Sequence, residues 1–213
     1  MGYTPKGQRR RQVIADAAAA IFRADGLHAV THRAVAAHAD VPLAATTYYF
    51  SSLEELRRAA VHVVHERETA RMRDVLAAVS RRRRGPEETA TIVVDVIAAP
   101  GAADLISWYE HFVGAARDPL LQEGARADNI AAHDHVASTL RRCGWDEVAD
   151  ASALTGTLLS VIDGSVIEAL AEGAGASAAR SRAIAGTATV LSLAGERHSE
   201  STLGTTPGTT PPG

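Results

Sequence analysis

At Ala39-Asp40-Val41-Pro42 the chain has to stop one helix and start another, and this turn constrains the fold most. Pro42 disfavours helical geometry at Val41 and suits the first position of a new helix. Asp40 tolerates a left-handed turn better than most residues. Before the turn, Thr31 reads as the N-cap of a helix over His32 to His38, with Val35, Ala36 and Ala39 facing inward. After it comes VPLAATTYYFSSLEEL, Val41 to Leu56, which has neither the large aliphatics of a buried helix nor the Gly, Asn and Asp of a loop. It predicts a short helix over Pro42 to Tyr49 with small residues on one face and hydroxyls on the other. Ser51 and Ser52 are followed three residues later by Glu54 and Glu55, two overlapping capping boxes that open a fourth helix.

A helix must precede this pair. Ile14, Ala17, Ala18, Ile21 and Phe22 recur at helical spacing over about Lys6 to Ala24, and Gly26 follows as a left-handed cap. Three helices with a tight turn between the last two form a helix-turn-helix unit, with Val41 and Phe50 anchoring the second short helix to the first. Helix four, about Leu53 to Ser80, carries an apolar stripe of Leu56, Ala60, Val63, Val64, Leu76 and Val79. Pro100-Gly101, Asp118-Pro119, Cys143-Gly144 and Gly173 to Gly175 bound further helical segments, and the last helix covers about Ser177 to Ala194. The end, STLGTTPGTTPPG, predicts a disordered tail. Apolar runs at period two are absent, so the chain reads as all-α. The domains are a helix-turn-helix head at 1–52, a helical body at 53–195 and a tail at 196–213.

Charge separates head from body. The first fifty residues carry six basic side chains against three acidic ones, a net +3, so the remaining 163 carry −6 of the overall −3. A basic head on an acidic body suits a polyanionic partner, and chance clustering is the alternative. Lys6 is the only lysine; the other basic residues are arginine. Cys143 is the only cysteine, which excludes an internal disulfide and fits a reducing cytoplasm. The N-terminus is polar, and no apolar run is read as reaching the roughly 18 residues of a membrane span. His62 with His65, and His133 with His135, lack a convergent third ligand, so no metal or other cofactor is expected. Glu66, Glu68, Asp134 and Glu168 show no spacing for acid–base work, and Cys143 has no base aimed at it; no catalytic residues are assigned.

On the second short helix, Leu43, Ala44, Ala45, Thr47 and Tyr48 form the outer face. Small side chains let a helix lie deep in a major groove, Thr can bond base edges, and Tyr hydroxyls reach phosphate oxygens. From Val13 to Leu56 the chain, VIADAAAAIFRADGLHAVTHRAVAAHADVPLAATTYYFSSLEEL, resembles the TetR-type one-component transcriptional regulators. The resemblance rests on Ala17-Ala18, Phe22, Gly26, Thr31, Val35-Ala36, Ala39-Asp40-Val41 and Tyr48-Tyr49-Phe50 in register. It implies phosphate contacts at Thr31 and His32 and guanine reading by Arg33. It also implies base-facing positions at Leu43, Ala44, Ala45 and Thr47, and phosphate clamps at Tyr48 and Tyr49. Lys6, Arg9, Arg10 and Arg11 form an arm that either enters a flanking minor groove or neutralises phosphate. Asp40 replaces the usual turn glycine, Pro42 a capping serine, Thr47 a common tyrosine and Leu53 a phosphate-binding lysine. Specificity should therefore lean on Arg33, apolar contacts and DNA shape.

For the body, the resemblance implies a domain that binds a small-molecule effector and dimerises through its last two helices, about Asp146 to Ala171 and Ser177 to Ala194. Gly156, Ser160, Gly164 and Ser165, facing Ala183, Gly186 and Ala188, allow close helix approach, although Ala/Gly bias alone would also put them there. Leu105, Trp108, Tyr109, His111 and Phe112, with Asn129, His133 and Val136 on the next helix, are either a ligand pocket or plain core. Trp145 is expected at a helix junction, and Arg81 to Arg84 as a solvated helix end. The expected protein is a regulator, more often a repressor, that binds double-stranded palindromic DNA as a homodimer in the cytoplasm, is released by an unknown effector and has no membrane partner. The alternative is an all-α ligand-binding or enzymatic protein whose first helices only pack.

Overall fold

A computed structural model of the chain describes residues 4–98, 101–146 and 152–203. It contains α1 (Pro5–Asp25), a 3-10 turn (Leu27–Ala29), α2 (His32–His38), α3 (Leu43–Tyr49) and α4 (Leu53–Ala77). Then follow α5 (Pro86–Ile97), α6 (Ala102–Gly114), α7 (Pro119–Arg142), α8 (Ser152–Ala171) and α9 (Gly175–Leu203), with no strand among the described residues. The chain forms two compact units. One holds residues up to Ala78 together with Ala99–His135, the other Val79–Ala98 together with the chain from Val136.

Caps decide where the helices of the first unit begin. Thr4 Oγ1 accepts from the Gly7 N–H at 3.3 Å with Pro5 in the first turn, and Thr31 Oγ1 accepts from the Ala34 N–H at 3.1 Å. Each such cap is worth about 1 kcal/mol. Gly26 has the positive φ expected of it, +81°, but its ψ of 170° sends the chain out extended rather than through a left-handed helical turn. Asp40 does take the left-handed turn, at φ +50°. The Val41 N–H bonds the Ala36 carbonyl at 3.0 Å and the Asp40 N–H the Ala37 carbonyl at 3.4 Å, a Schellman closure with Val41 and Ala36 both buried. Pro42 then caps α3 from outside rather than opening it, so α3 starts one residue later than expected. Of the two capping boxes, Ser52 provides the cap, accepting from the Glu55 N–H at 3.1 Å. Glu55 reaches back one residue further than a standard box, to the Ser51 N–H at 2.8 Å and hydroxyl at 2.9 Å.

These elements bury one core. Ile14, Ala18, Ile21 and Phe22 of α1 meet Val35 and Ala36 of α2, Phe50 after α3, and Leu56, Ala60 and Val63 of α4. Full burial of each larger side chain is worth roughly 1.5–3 kcal/mol. Leu121 and Ala125 of α7 complete the cluster. Gly124 lets α7 come close, since a Cβ there would lie 2.9 Å from Val61 Cγ1.

In the second unit, Val93, Val94 and Val96 of α5, Leu158, Ile162 and Val166 of α8 and Leu191 of α9 are buried. Trp145 does sit at a junction: its Nε1–H donates to Thr89 Oγ1 at 3.0 Å, and a Cβ at Gly195 would meet its ring at 3.5 Å. The expected solvated arginine run is corrected at Arg84, which is buried. Its guanidinium donates to Glu88 at 3.0 Å and to the Ser80 carbonyl at 2.8 Å. Backbone bonds from Arg82 N–H to the Arg142 carbonyl and from Arg84 N–H to the Cys143 carbonyl hold this segment straight, which is why α4 stops at Ala77 and not Ser80. Burial pushes the Cys143 thiol above the ordinary cysteine range, leaving it protonated and unreactive.

Two further expectations change. α9 runs through the predicted start of the tail to Leu203, and residues 204–213 lie outside the described residues. The expected beginning of the penultimate helix, 147–151, also lies outside them. Contrary to the reading of no long apolar run, α8 is long and apolar enough to cross a membrane by composition, at a mean hydropathy of 1.4, yet only a third of it is buried within the chain. It carries Asp163 and Glu168 and packs Leu158, Ile162 and Val166 into the second unit's core.

Candidate nucleic-acid interface and ligand cavity

The outward side of the helix-turn-helix is built from α2 and α3. Thr31 and Arg33 are exposed at the start of α2; Leu43 (52% exposed), Ala44, Thr47 and Tyr48 (71% exposed) project from α3. Ala45, expected on this face, is half-buried and packs against the core. Thr47 Oγ1 donates to the Ala44 carbonyl at 3.2 Å, so its hydroxyl offers DNA a lone pair and its methyl. Tyr48 and Tyr49 meet edge to face at 5.0 Å, with Tyr49 half-buried.

Thr46, which the sequence reading passed over, is fully buried. Its hydroxyl donates to the Leu43 carbonyl at 2.8 Å, which uses its only proton. His32 Nδ1, 3.2 Å away, must therefore be the donor to Thr46 Oγ1, and this bond ties α2 to α3. The i to i+3 spacing of Leu43 and Thr46 was the available signal, but a Thr beside an outward Thr gives no local clue to which one turns in.

The basic start of the chain is a helix and not an arm. α1 is regular from Pro5, so Lys6, Arg9 and Arg10 are presented on a rigid, exposed surface that is too wide for a minor groove. With Thr4, Val13 and Tyr49 they border an open concavity of about 680 Å³, suited to a phosphate backbone. Arg11 is separate: it lies 4.5 Å over the Phe50 ring and 3.5 Å from Glu55, bracing the α3–α4 corner. The Ser51 N–H, then the Ser51 hydroxyl and Arg11, hold the Glu55 carboxyl below the usual range.

Of the expected pocket residues, Trp108 and His111 of α6 line a cavity of about 50 Å³ with Phe22 and Arg23 of α1 and Val64 of α4. Leu105 and Val136 are buried, Tyr109, Phe112 and His133 half-buried and Asn129 exposed, and none of these six borders that cavity. Trp108 stacks obliquely on Phe112 at 5.9 Å, and Phe22 meets His111 edge to face at 5.6 Å. Behind His111 lies a buried carboxylate, Asp128, bonded to His65 Nδ1 and 3.8 Å from His111 Nε2. Among the described residues no group of three His, Cys, Asp or Glu side chains is placed to hold a metal ion.

Burial, only partly offset by Asp128, pushes the His111 imidazole below the ordinary histidine range. The unfolded chain therefore takes up that proton first. Stability should fall as the pH drops through about 6.5, and level off below the lowered folded value. Urea unfolding at pH 7.5 and 5.5 checks this: His111→Phe is expected to lose part of that dependence, and an unchanged one would exclude His111 as its source.

Residues 14–60 match the family of bacterial regulatory proteins, tetR family, and residues 84–191, half of the chain, match the tetracyclin repressor-like C-terminal domain. The chain belongs to the TetR family. It is a DNA-binding transcriptional regulator, and its helix-turn-helix is the DNA-binding element. No curated protein matches it. Among solved structures, the multidrug binding protein EbrR complexed with proflavin is 25% identical and aligns with a TM-score of 0.62 over 85% of this chain and 99% of that one. A putative TetR-family regulator from Mesorhizobium loti shares 15% identity at a TM-score of 0.70 over 89% and 98%. A TetR regulator from Haloarcula marismortui shares 19% at 0.68 over 87% and 98%. These last two show the fold alone.

Arg33 is exposed at the start of α2, where the resemblance implies a base-reading side chain. Arg33→Ala should cost about 1–3 kcal/mol on the cognate operator and relax specificity at one base pair per half-site. Gel-shift titration on cognate and random DNA checks this, and equal losses on both would make Arg33 a phosphate contact only.

Proposed function

We propose that this TetR-family chain is a homodimeric repressor that binds a palindromic operator in the cytoplasm and leaves it when a small effector binds. Residues 1–52 act as the reading head and 53–195 as the effector and dimerisation body. The observation that carries the dimer is α8. A helix with a mean hydropathy of 1.4 needs cover over much of its surface, and this one is only a third buried within its own chain. Its open face presents Ser160, Gly164 and Ile167, and α9 presents Ala185, Thr189 and Leu193 beside it. Gly164 has open space around it, whereas Gly186 serves packing inside the protomer, where a Cβ would strike Val161 at 2.7 Å. A two-fold pairing of α8 and α9 closes this face symmetrically.

Two heads held about 34 Å apart would read half-sites one DNA turn apart. Effector release is supported by the cavity beside α1, since Phe22 and Arg23 belong to the head's own first helix. A ligand there has a direct means of favouring a head position that no longer fits adjacent grooves, provided it binds that state more tightly. Complexes of EbrR with proflavin, ethidium and imidazole, and of a Saccharomonospora viridis regulator with choline, support small-molecule binding as a general property of such bodies. The test is selection of bound fragments from a random DNA pool near physiological salt, with stoichiometry by native mass. A palindrome bound by two or four protomers is expected. Binding to unselected DNA only, by single protomers, would overturn the dimeric operator reading.

A further inference from the structure

Thr46 decides which nitrogen of His32 can serve DNA. Its buried hydroxyl gives its one proton to the Leu43 carbonyl at 2.8 Å. A lone pair on His32 Nδ1 would then meet a lone pair of Thr46 Oγ1 at 3.2 Å, so Nδ1 carries a proton whether the ring is neutral or charged. The other nitrogen, Nε2, has no partner among the described residues and opens to solvent on a half-buried ring. In the neutral ring Nε2 is therefore an acceptor and not a donor.

A phosphate oxygen also only accepts. His32 opens α2 between the exposed Thr31 and Arg33, and the first helix of a helix-turn-helix crosses the DNA backbone. A neutral His32 would turn a lone pair toward that backbone. The imidazolium donates from both nitrogens at once, to Thr46 and to a phosphate, and adds charge to the contact. The charged and titratable groups around it leave that role open. On its own helix and turn, Arg33, His38 and Asp40 are exposed. α3 carries no charged side chain, its titratable groups being Tyr48 and Tyr49. α1 brings Ile14, Ala18, Ile21 and Phe22 to the shared core; its carboxylates are Asp16, paired with Arg67 at 2.6 Å, and Asp25, exposed at its end. Arg57 of α4 donates to the Val30 carbonyl at 3.2 Å and the His28 carbonyl at 3.3 Å, just before α2. Among the described residues no carboxylate pairs with His32.

We infer that DNA binding takes up a proton at His32, with buried Thr46 as the positioning residue that makes the charged ring the only form able to donate to a phosphate. The inference rests on the helix-turn-helix being the DNA-binding element and not on the dimer or the palindrome. Phosphate is common to all DNA, so the probe is a short mixed-sequence duplex at low salt. Binding should be about tenfold tighter at pH 6.5 than at pH 8.5. Calorimetry at pH 7.5, in buffers of different ionisation enthalpy, should register uptake of up to one proton per head. The slope of log affinity against log salt should be steeper at pH 6.5 by about 0.9 per head. All three effects should shrink in His32→Asn, whose amide N–H can still serve Thr46 but which cannot gain charge. Thr46→Ser should retain the pH profile. Thr46→Val, lacking the oxygen that holds the Nδ1 proton, should flatten it by letting a neutral ring donate from Nε2. His111 cannot mimic the effect, because its protonation destabilises the fold and would weaken binding at low pH. Equal proton uptake in the unmodified protein and His32→Asn would overturn the inference. A pH dependence with an unchanged salt slope would overturn the phosphate contact, and a Thr46→Val profile like the unmodified one would overturn the role of Thr46. The measurements on the unmodified protein stand even if a variant fails to fold.

Discussion

Phe50→Ala should cost the DNA-binding head about 3–5 kcal/mol, a large fraction of the ~5–15 kcal/mol that holds a typical domain folded. Phe50 is fully buried among the side chains of α1, α2 and α4, and its N–H closes α3 on the Thr46 carbonyl at 2.9 Å. Its ring also lies under the Arg11 guanidinium, so truncation both opens a cavity and releases the brace that joins Arg11 to Glu55. Urea denaturation measures the loss directly. Tyr48→Ala, two residues earlier on the open face, is the control. It should change stability by less than about 0.5 kcal/mol while weakening DNA binding across sequences. A Phe50→Ala cost below about 1 kcal/mol would mean that α3 is not anchored where the structure puts it.

The double variant Ile167→Glu, Leu193→Glu should leave a folded protomer that no longer dimerises, with operator affinity lower by about 10²- to 10⁴-fold. Both side chains are about half exposed, at 47% and 57%, so the substitutions put charge where the proposed partner must sit and disturb little inside the chain. Losing the partner converts two linked half-site contacts into one, which is where the large factor arises. Sedimentation gives the oligomeric state, and gel shift the affinity. Gly186→Val separates this from simple damage. Its new side chain would strike Val161 inside the protomer and should destabilise by about 1–3 kcal/mol, visible in the melting curve. A double variant that remains a dimer would place the interface elsewhere.

Much of the head could be read from residues a few positions apart. The caps at Thr31 and Ser52, the left-handed turn at Asp40 and the apolar spacing of Ile14, Ala18, Ile21 and Phe22 are local signals. They act through the backbone of one turn or the face of one helix, so the string carries them whole. That Tyr48 faces outward and Phe50 inward follows from the same helical geometry.

The side-chain partnerships were settled only by the fold. Nothing in the local sequence says that Thr46 turns inward to meet His32, fourteen residues earlier, or that Arg11 braces Phe50 instead of joining Lys6, Arg9 and Arg10 on the open surface. Arg84 sits in a run of four arginines, and the one that is buried is decided by carbonyls at Ser80 and Arg142. The histidine–carboxylate cluster behind α6 is the furthest case. His65, His111 and Asp128 stand on three different helices, and the burial that leaves His111 Nδ1 without a hydrogen-bond partner exists only once those helices have packed. By itself the sequence determined the helices, their turns and the family, because these depend on neighbours along the chain. The tertiary structure decided which polar groups are paired, which are buried and which are left without a partner, because hydrogen bonds and desolvation depend on distance in space.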